Sequence, residues 1–221
     1  MGATKAAASP PAVPSVLWFD LPTAAGRFTL SPVRPDRDLP LIHRWMNDPE
    51  VAEYWDLDGP LERTAGHVYA QVALAYTQPL LARLGGRAIG YWELYQAAAD
   101  PLAGYYPAEP DDLGVHLLIG EGDCRGLGLG SVLLRALADA VQQARPRRLV
   151  AEPDERNLAS VRAFTAAGFT ALDTLELPEK RATLMLRAAP TTGSTSGPAP
   201  TSTPTWTPAL PSVPSPGREA A

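Results

Sequence analysis

From residue 17 to residue 189 the chain alternates between stretches of period two and stretches of period 3.6. Phe28 to Val33 has the alternation of a short strand, stopped by Pro32 and Pro35. Leu41, Ile42, Trp45 and Met46 recur at helical spacing, and Asp48-Pro49 is read as the close of that helix. Pro60 opens a second helix whose apolar stripe is Leu61, Ala65, Val68, Val72 and Tyr76. Two strands follow, over 79–84 and 87–95, with Gly85-Gly86 between them as a hairpin signal. Residues 96–111 contain Pro101, Gly104, Pro107 and Pro110 and no periodicity, which predicts a long loop of the kind used as lids or binding loops. Residues 112–119 form a strand with Leu113, Val115, Leu117 and Ile119 on one face and Gly114, His116, Leu118 and Gly120 on the other.

The second half is as regular. Leu129, Val132, Leu133, Ala136, Leu137, Ala140 and Val141 give a full helical stripe over 128–144, ended by Pro146. A short strand at 148–152 leads to a helix over 157–167, with Asn157 at its start and Gly168 at its end. Strands at 170–177 and 182–187 close the domain. The order predicts a mixed α/β domain around one sheet.

Composition limits the outer segments and the function classes. Residues 1–16 are rich in Ala and Pro, and Pro, Ser, Thr and Gly supply 23 of the last 32 residues. Such segments bury too little apolar surface to offset their ordering entropy, so 1–16 and 190–221 are expected to be disordered tails around a domain at 17–189. A net charge of −5 argues against a general nucleic-acid or acidic-membrane binder. One cysteine, Cys124, excludes an intramolecular disulfide framework and a Cys-cluster zinc site, and three histidines without matched spacing predict no metal site. No apolar run reaches the ~18 residues of a membrane span. Pro10, Pro11 and Pro14 break what could have been a signal-peptide core. The expectation is a soluble cytoplasmic protein; monomer and homodimer remain open.

Arg125-Gly126-Leu127-Gly128-Leu129-Gly130, between a strand and a long helix, is the sharpest local motif. Glycines allow close backbone approach, and the helix start supplies unpaired N–H groups and the positive end of the dipole, which together suit a pyrophosphate. No lysine follows Gly130 as a P-loop requires, and the motif lies too deep in the chain for a dinucleotide fold. A turn that merely packs helix on strand would use the same glycines. Downstream, Asn157, Ser160, Phe164, Gly168 and Phe169 complete a second motif. With these two motifs the chain resembles the GNAT acetyltransferase superfamily over residues 26–188. The resemblance implies the GNAT fold, a mixed, mostly antiparallel central sheet with flanking helices. It also implies acetyl-CoA or another acyl-CoA as donor, its pyrophosphate held by the backbone of Arg125 to Gly130 and its pantetheine arm beside Asn157 and Ser160.

His43 to Pro49 with Val51 and Trp55, the strand Gly114 to Gly120, and Glu152-Pro153-Asp154 are similar to the siderophore-biosynthesis branch of that superfamily. This branch holds the aerobactin-type N6-hydroxylysine acetyltransferases, the alcaligin-type enzymes and the mycobactin-type lysine N-acyltransferases. The resemblance implies His116 and Asp154 as the active-site pair, and a small-molecule amine or hydroxylamine as acceptor. The mycobactin-type pattern gives the proton to the aspartate and lets the histidine hold the substrate. An unperturbed imidazole near ~6.5 would instead favour His116 as base. Taken from the residues alone, His116 points away from the apolar face of its strand, with Gly114 and Gly120 leaving space beside it, and Asp154 also suits a helix cap. Trp55 and Trp92 are candidate walls of the acceptor or acyl pocket, and a backbone N–H near Leu118 is the candidate oxyanion donor. His43 and His67 read as structural or surface residues. Two alternatives remain: an aminoglycoside 6′-N-acetyltransferase, for which Glu109, Asp111, Asp112 and Asp154 could hold a polycation, and a non-catalytic acyl-CoA-binding module.

Overall fold

The computed structural model describes residues 17–190; the two expected tails lie outside the described residues. Eight strands form one sheet: β1 (Phe19–Thr23), β2 (Gly26–Pro32), β3 (Thr77–Leu84), β4 (Arg87–Gln96), β5 (Leu113–Ile119), β6 (Leu149–Ala151), β7 (Thr170–Glu176) and β8 (Arg181–Arg187). Their order is β1-β2-β3-β4-β5-β6-β8-β7, antiparallel except for the parallel pair β5–β6. Five helices flank it: α1 (Pro35–Met46), α2 (Pro49–Trp55), α3 (Leu61–Ala73), α4 (Leu129–Ala144) and α5 (Leu158–Ala166). The predicted mixed α/β sheet is present.

Three parts of the chain differ from the sequence reading. Strand β1 is additional, a hairpin partner for β2. Asp48-Pro49 does not merely end a helix. The Asp48 carboxylate accepts from the Glu50 amide at 3.0 Å and caps α2, with Pro49 at its first position. The long loop at 96–111 is not a free lid either. It folds into two 3-10 turns, Ala97–Ala99 and Pro101–Gly104, and buries Leu102 and Tyr106 against Tyr95, Val150 and Leu184.

The alternation along β5 decides which face carries what. Leu113 and Val115 are buried with Leu133, Leu137 and Phe164, under α4 and α5. Leu118 is buried with Ile42, Trp45, Val68 and Tyr91, under α1, α2 and α3. His116 shares the parity of Leu118, so its side chain belongs to the α1–α3 face, opposite Glu93 of β4.

The space expected beside His116 is filled by aromatic rings. A Cβ on Gly114 would come within 2.0 Å of the Tyr95 ring, and one on Gly120 within 2.2 Å of the Trp45 ring. Neither glycine has a positive φ, so each is there for room and not for backbone freedom. Gly114→Ala should therefore destabilise the fold by about 1–3 kcal/mol, the usual range for overpacking. Urea denaturation measures it, and a variant as stable as the parent would mean the ring moves aside at no cost.

Strand β6 is paired to β5 at two positions only, Leu113 with Leu149 and Gly114 with Val150. Beyond them β5 stays with β4, while the chain after β6 stays with β8, pairing Ala151 with Met185 and then Asp154 with Ala182. The sheet thus splits into a wedge with the Leu113–Gly114 seam at its base.

Candidate active site

The loop that enters α4 lies just past the β5 side of the wedge. Gly126 and Gly128 have φ of +72° and +73°, the left-handed region glycine tolerates, and at both the place of a Cβ is open. Gly128 is the N-cap of α4 and no side chain caps the helix, which leaves its first amides free for an anion. A phosphate-bearing co-substrate fits such a cradle, which includes Leu127, Leu129 and Gly130. Arg125 is not aimed into it. Its guanidinium binds the Asp48 carboxylate at 3.0 and 2.5 Å and approaches Glu50 at 3.4 Å. Asn157 caps α5 by accepting from the Ser160 amide at 2.9 Å, so that bond orders both residues at the helix start.

His116 lies at the base of the wedge. Its Nδ1 is 3.1 Å from Glu93 Oε2, and its Nε2 is 2.5 Å from Glu152 Oε1 across the split. Glu93 also accepts from Tyr91 Oη and from His67 Nε2, both at 2.7 Å. Glu152 also accepts from Tyr95 Oη at 2.8 Å and lies 3.6 Å from Lys180 Nζ. Both carboxylates are buried, whereas the His116 side chain is 35% exposed and is the part of the cluster that meets solvent most openly. Trp55, at the end of α2, stands edge-on to His116, His67 and Tyr91.

Charge follows from this packing. Burial opposes the imidazolium of His116, but Glu152 and then Glu93 outweigh it and raise its pKa to about 10. Burial likewise opposes the carboxylates. His116 and His67 nevertheless hold Glu93 well below the usual range, and His116, Lys180 and Tyr95 hold Glu152 at about 2. Burial, with Glu93 and Glu152 adjacent, keeps Tyr91 and Tyr95 as neutral phenols. His116 is therefore no unperturbed imidazole. Near neutral pH it is a cation bonded at both nitrogens, without a free lone pair, and the argument for it as resting base falls.

The carboxylates beside His116 are Glu93 and Glu152; Asp154 is held by Arg156. The Arg156 guanidinium donates to Asp154 at 3.0 and 2.7 Å and the Arg156 amide at 2.9 Å, which lowers the aspartate's pKa. Tyr54, at the end of α2, feels the charges of both Asp154 and Arg156. The 154–156 segment and the end of α2 thus lie near one another.

Other assignments change with the geometry. Trp92 lies on the opposite face, fully buried with its ring 5.5 Å from Phe28, because its parity in β4 is opposite to that of Glu93. It walls the core and not the His116 pocket; Trp55 does meet that pocket. The Ala97 amide bonds Asp112 O, and the Gly120 amide bonds Ile89 O. These ends put the even-numbered residues of β5, Leu118 among them, into the β4 ladder. The amides facing the wedge are those of Leu117 and Ile119. At the strand's end Gly120 and Glu121 both donate to Ile89 O. His43 bonds Thr64 and links α1 to α3. His67, read as structural or surface, belongs to the cluster. A polar residue at 67 beside buried Thr64 and Val68 was the available signal, as was a lone charge at Glu93 between two buried tyrosines. Among the described residues no group of His, Cys, Asp or Glu is arranged to hold a metal ion, and no helix is long and apolar enough to cross a membrane.

Residues 34–177 match the family model described as acetyltransferase (GNAT) domain. The chain is 35% identical over 166 residues to the lysine N-acyltransferase MbtK of Mycobacterium sp. (strain MCS), covering 74% of this chain and 68% of that one. It is 30% identical over 154 residues to the N(6)-hydroxylysine O-acetyltransferase of Escherichia coli, covering 69% and 49%. Among solved structures, the aminoglycoside acetyltransferase AAC(6′)-Ib with coenzyme A and kanamycin superposes with a TM-score of 0.63 at 26% identity, covering 73% and 94%.

Proposed function

The chain belongs to the GNAT acetyltransferase family and is an acyl-CoA-dependent acyltransferase, and we propose that its acceptor is the side-chain nitrogen of lysine, of a hydroxylated lysine or of a related hydroxylated diamine, in hydroxamate siderophore biosynthesis. The observation that carries this reading is the cluster at the base of the wedge. Glu152, tethered by His116 and Tyr95, and Asp154, tethered by Arg156, present two carboxylates two residues apart on one wall. They suit one small cationic or hydrogen-bonding nitrogen.

The acceptor nitrogen attacks the thioester carbonyl; the C–N bond forms, the C–S bond breaks and coenzyme A leaves. The amides of Leu117 and Ile119 face the developing oxyanion. Asp154, ionised at neutral pH, takes the nitrogen's proton, and Glu152, oriented by His116, holds the acceptor. The backbone of Arg125 to Gly130, with Asn157 and Ser160, lines the coenzyme, and Trp55 closes the acceptor end. Arg125 acts through its ion pair with Asp48 and not on the phosphates.

The aminoglycoside reading loses support at the acidic residues it needed. Glu109 and Asp112 are paired with Arg148 and Asp111 with Arg145. Little unpaired negative charge is left there to receive a polycation. Coenzyme A release with lysine, N6-hydroxylysine, N-hydroxyputrescine and kanamycin in parallel tests the proposal. Turnover is expected with one or more of the first three. Kanamycin as the sole substrate would replace this reading with the aminoglycoside one, and no turnover with any would leave a coenzyme-binding domain.

A further inference from the structure

Two members of the His116 cluster have no part in the transfer as described. Glu93 is 3% exposed and lies behind the imidazole, away from the wedge. Its two oxygens are divided: Oε2 meets His116 Nδ1, and Oε1 meets His67 Nε2 and Tyr91 Oη. His67 comes from α3, on the other side of Trp55, and is bonded to no other member of the cluster. A buried carboxylate costs free energy unless it is fully partnered, so such an arrangement persists where it determines something. What it can determine is the ring of His116. With Glu152 on one nitrogen and Glu93 on the other, the imidazole has one plane in which both bonds are made.

We propose that Glu93 and His67 are positioning residues: acting through His116 and not on the acceptor, they fix the orientation of its ring in the acceptor pocket. The inference rests on His116 being an acceptor-site residue. Glu93 holds the ring directly. His67 sets how much of the carboxylate's charge is left for it, because each donor on Oε1 draws negative charge away from Oε2. The remaining charged or titratable neighbours of His116 are Glu152, Lys180 in the β7–β8 turn, Asp100 in the 96–111 loop, and the neutral phenols Tyr91 and Tyr95.

The two positions are predicted to have opposite signs. A histidine raised to about 10 keeps its charge through neutral pH and loses it as pH rises through the raised value. Glu93→Gln removes one of the two carboxylates, so the His116 midpoint should fall by at least about one pH unit, a tenfold change in proton affinity. His67→Phe removes a competing donor from Glu93, so the midpoint should rise. His67→Gln, which keeps an N–H donor, should restore it. The chain has three histidines, so ring nitrogen resonances of labelled protein followed by NMR against pH can be assigned by single substitution. The alkaline limb of kcat should move with the midpoint while the KM for acyl-CoA stays within about twofold. The titration needs no turnover, so it stands whatever acceptor the enzyme proves to use. If Glu93→Gln does not fold, the two His67 variants still carry the sign test. A midpoint unmoved in Glu93→Gln and His67→Phe, or moved in the same direction by both, would overturn the proposal. So would a loss of activity equal at every pH with the His116 midpoint unchanged.

Discussion

Turnover of the amine acceptor by Asp154→Ala should fall by roughly 10²–10⁴, the usual size of an acid–base contribution, and by His116→Ala by a comparable factor, while acyl-CoA affinity stays within a few-fold. The two losses have different causes. Removing the imidazole leaves Glu93 and Glu152 buried without their shared cation, so the wall that holds the nitrogen loosens. Removing Asp154 takes away the ionised carboxylate assigned to the proton and leaves Arg156 without its partner. Orienting and proton-taking are separate tasks, so the double variant should show close to the product of the two losses. A double variant no worse than the poorer single would instead place both residues in one proton transfer. Steady-state rates at saturating acyl-CoA decide between these outcomes. Near parental rates in both single variants would remove the mechanism.

Gly128→Val should weaken acyl-CoA binding by at least about tenfold. Left-handed backbone costs an L-residue about 1–2 kcal/mol, and more for a β-branched one. Gly128 sits at φ +73° as the N-cap of α4, so either the strain is borne or the cradle changes shape. The added side chain also enters the open space in front of the first helical amides. Gly59→Val is the control. Its φ is +101°, it too faces open space, and it lies between α2 and α3, so it should lose stability and keep acyl-CoA affinity. Calorimetry with coenzyme A reads both. Unchanged affinity in Gly128→Val would take the phosphate away from this loop.

Much of the fold is legible in the sequence because it is local. The hairpin of β3 and β4 is announced by Gly85-Gly86, which turn with φ of +57° and +87°. The stripe of α4 is complete over its 16 residues. Asp48-Pro49 misleads because one chemical signal serves two ends: an Asx-Pro pair both stops a helix and starts the next. The wedge is not legible at all. Nothing in the alternation of β5 says that its parallel partner leaves after two pairs, since that depends on a strand 36 residues away. The site divides in the same way. The glycine cradle and Asn157 are read from contiguous motifs, whereas the grouping of His116 with Glu93, His67 and Glu152 is made by four separate parts of the chain. A lone acid in one strand and a lone histidine on one helix carry no mark of each other. Trp92 and Glu93 are adjacent in sequence, and only the parity of β4 sends one into the core and the other to the pocket.

The shortness of the β5–β6 seam also bears on how the protein avoids sticking to itself. A row of free N–H and C=O groups on a strand is a template on which another chain can add a strand, and proteins usually blunt such rows with charge, proline or a covering loop. Here the open row runs along β5 from Val115 to Ile119, in the middle of the sheet and not at its rim. A neighbouring molecule would need a flat edge several residues long, and the wedge closes to nothing at Gly114. The chain therefore keeps exposed backbone donors where a narrow, extended small molecule can reach them and where intermolecular sheet growth finds too little length to begin.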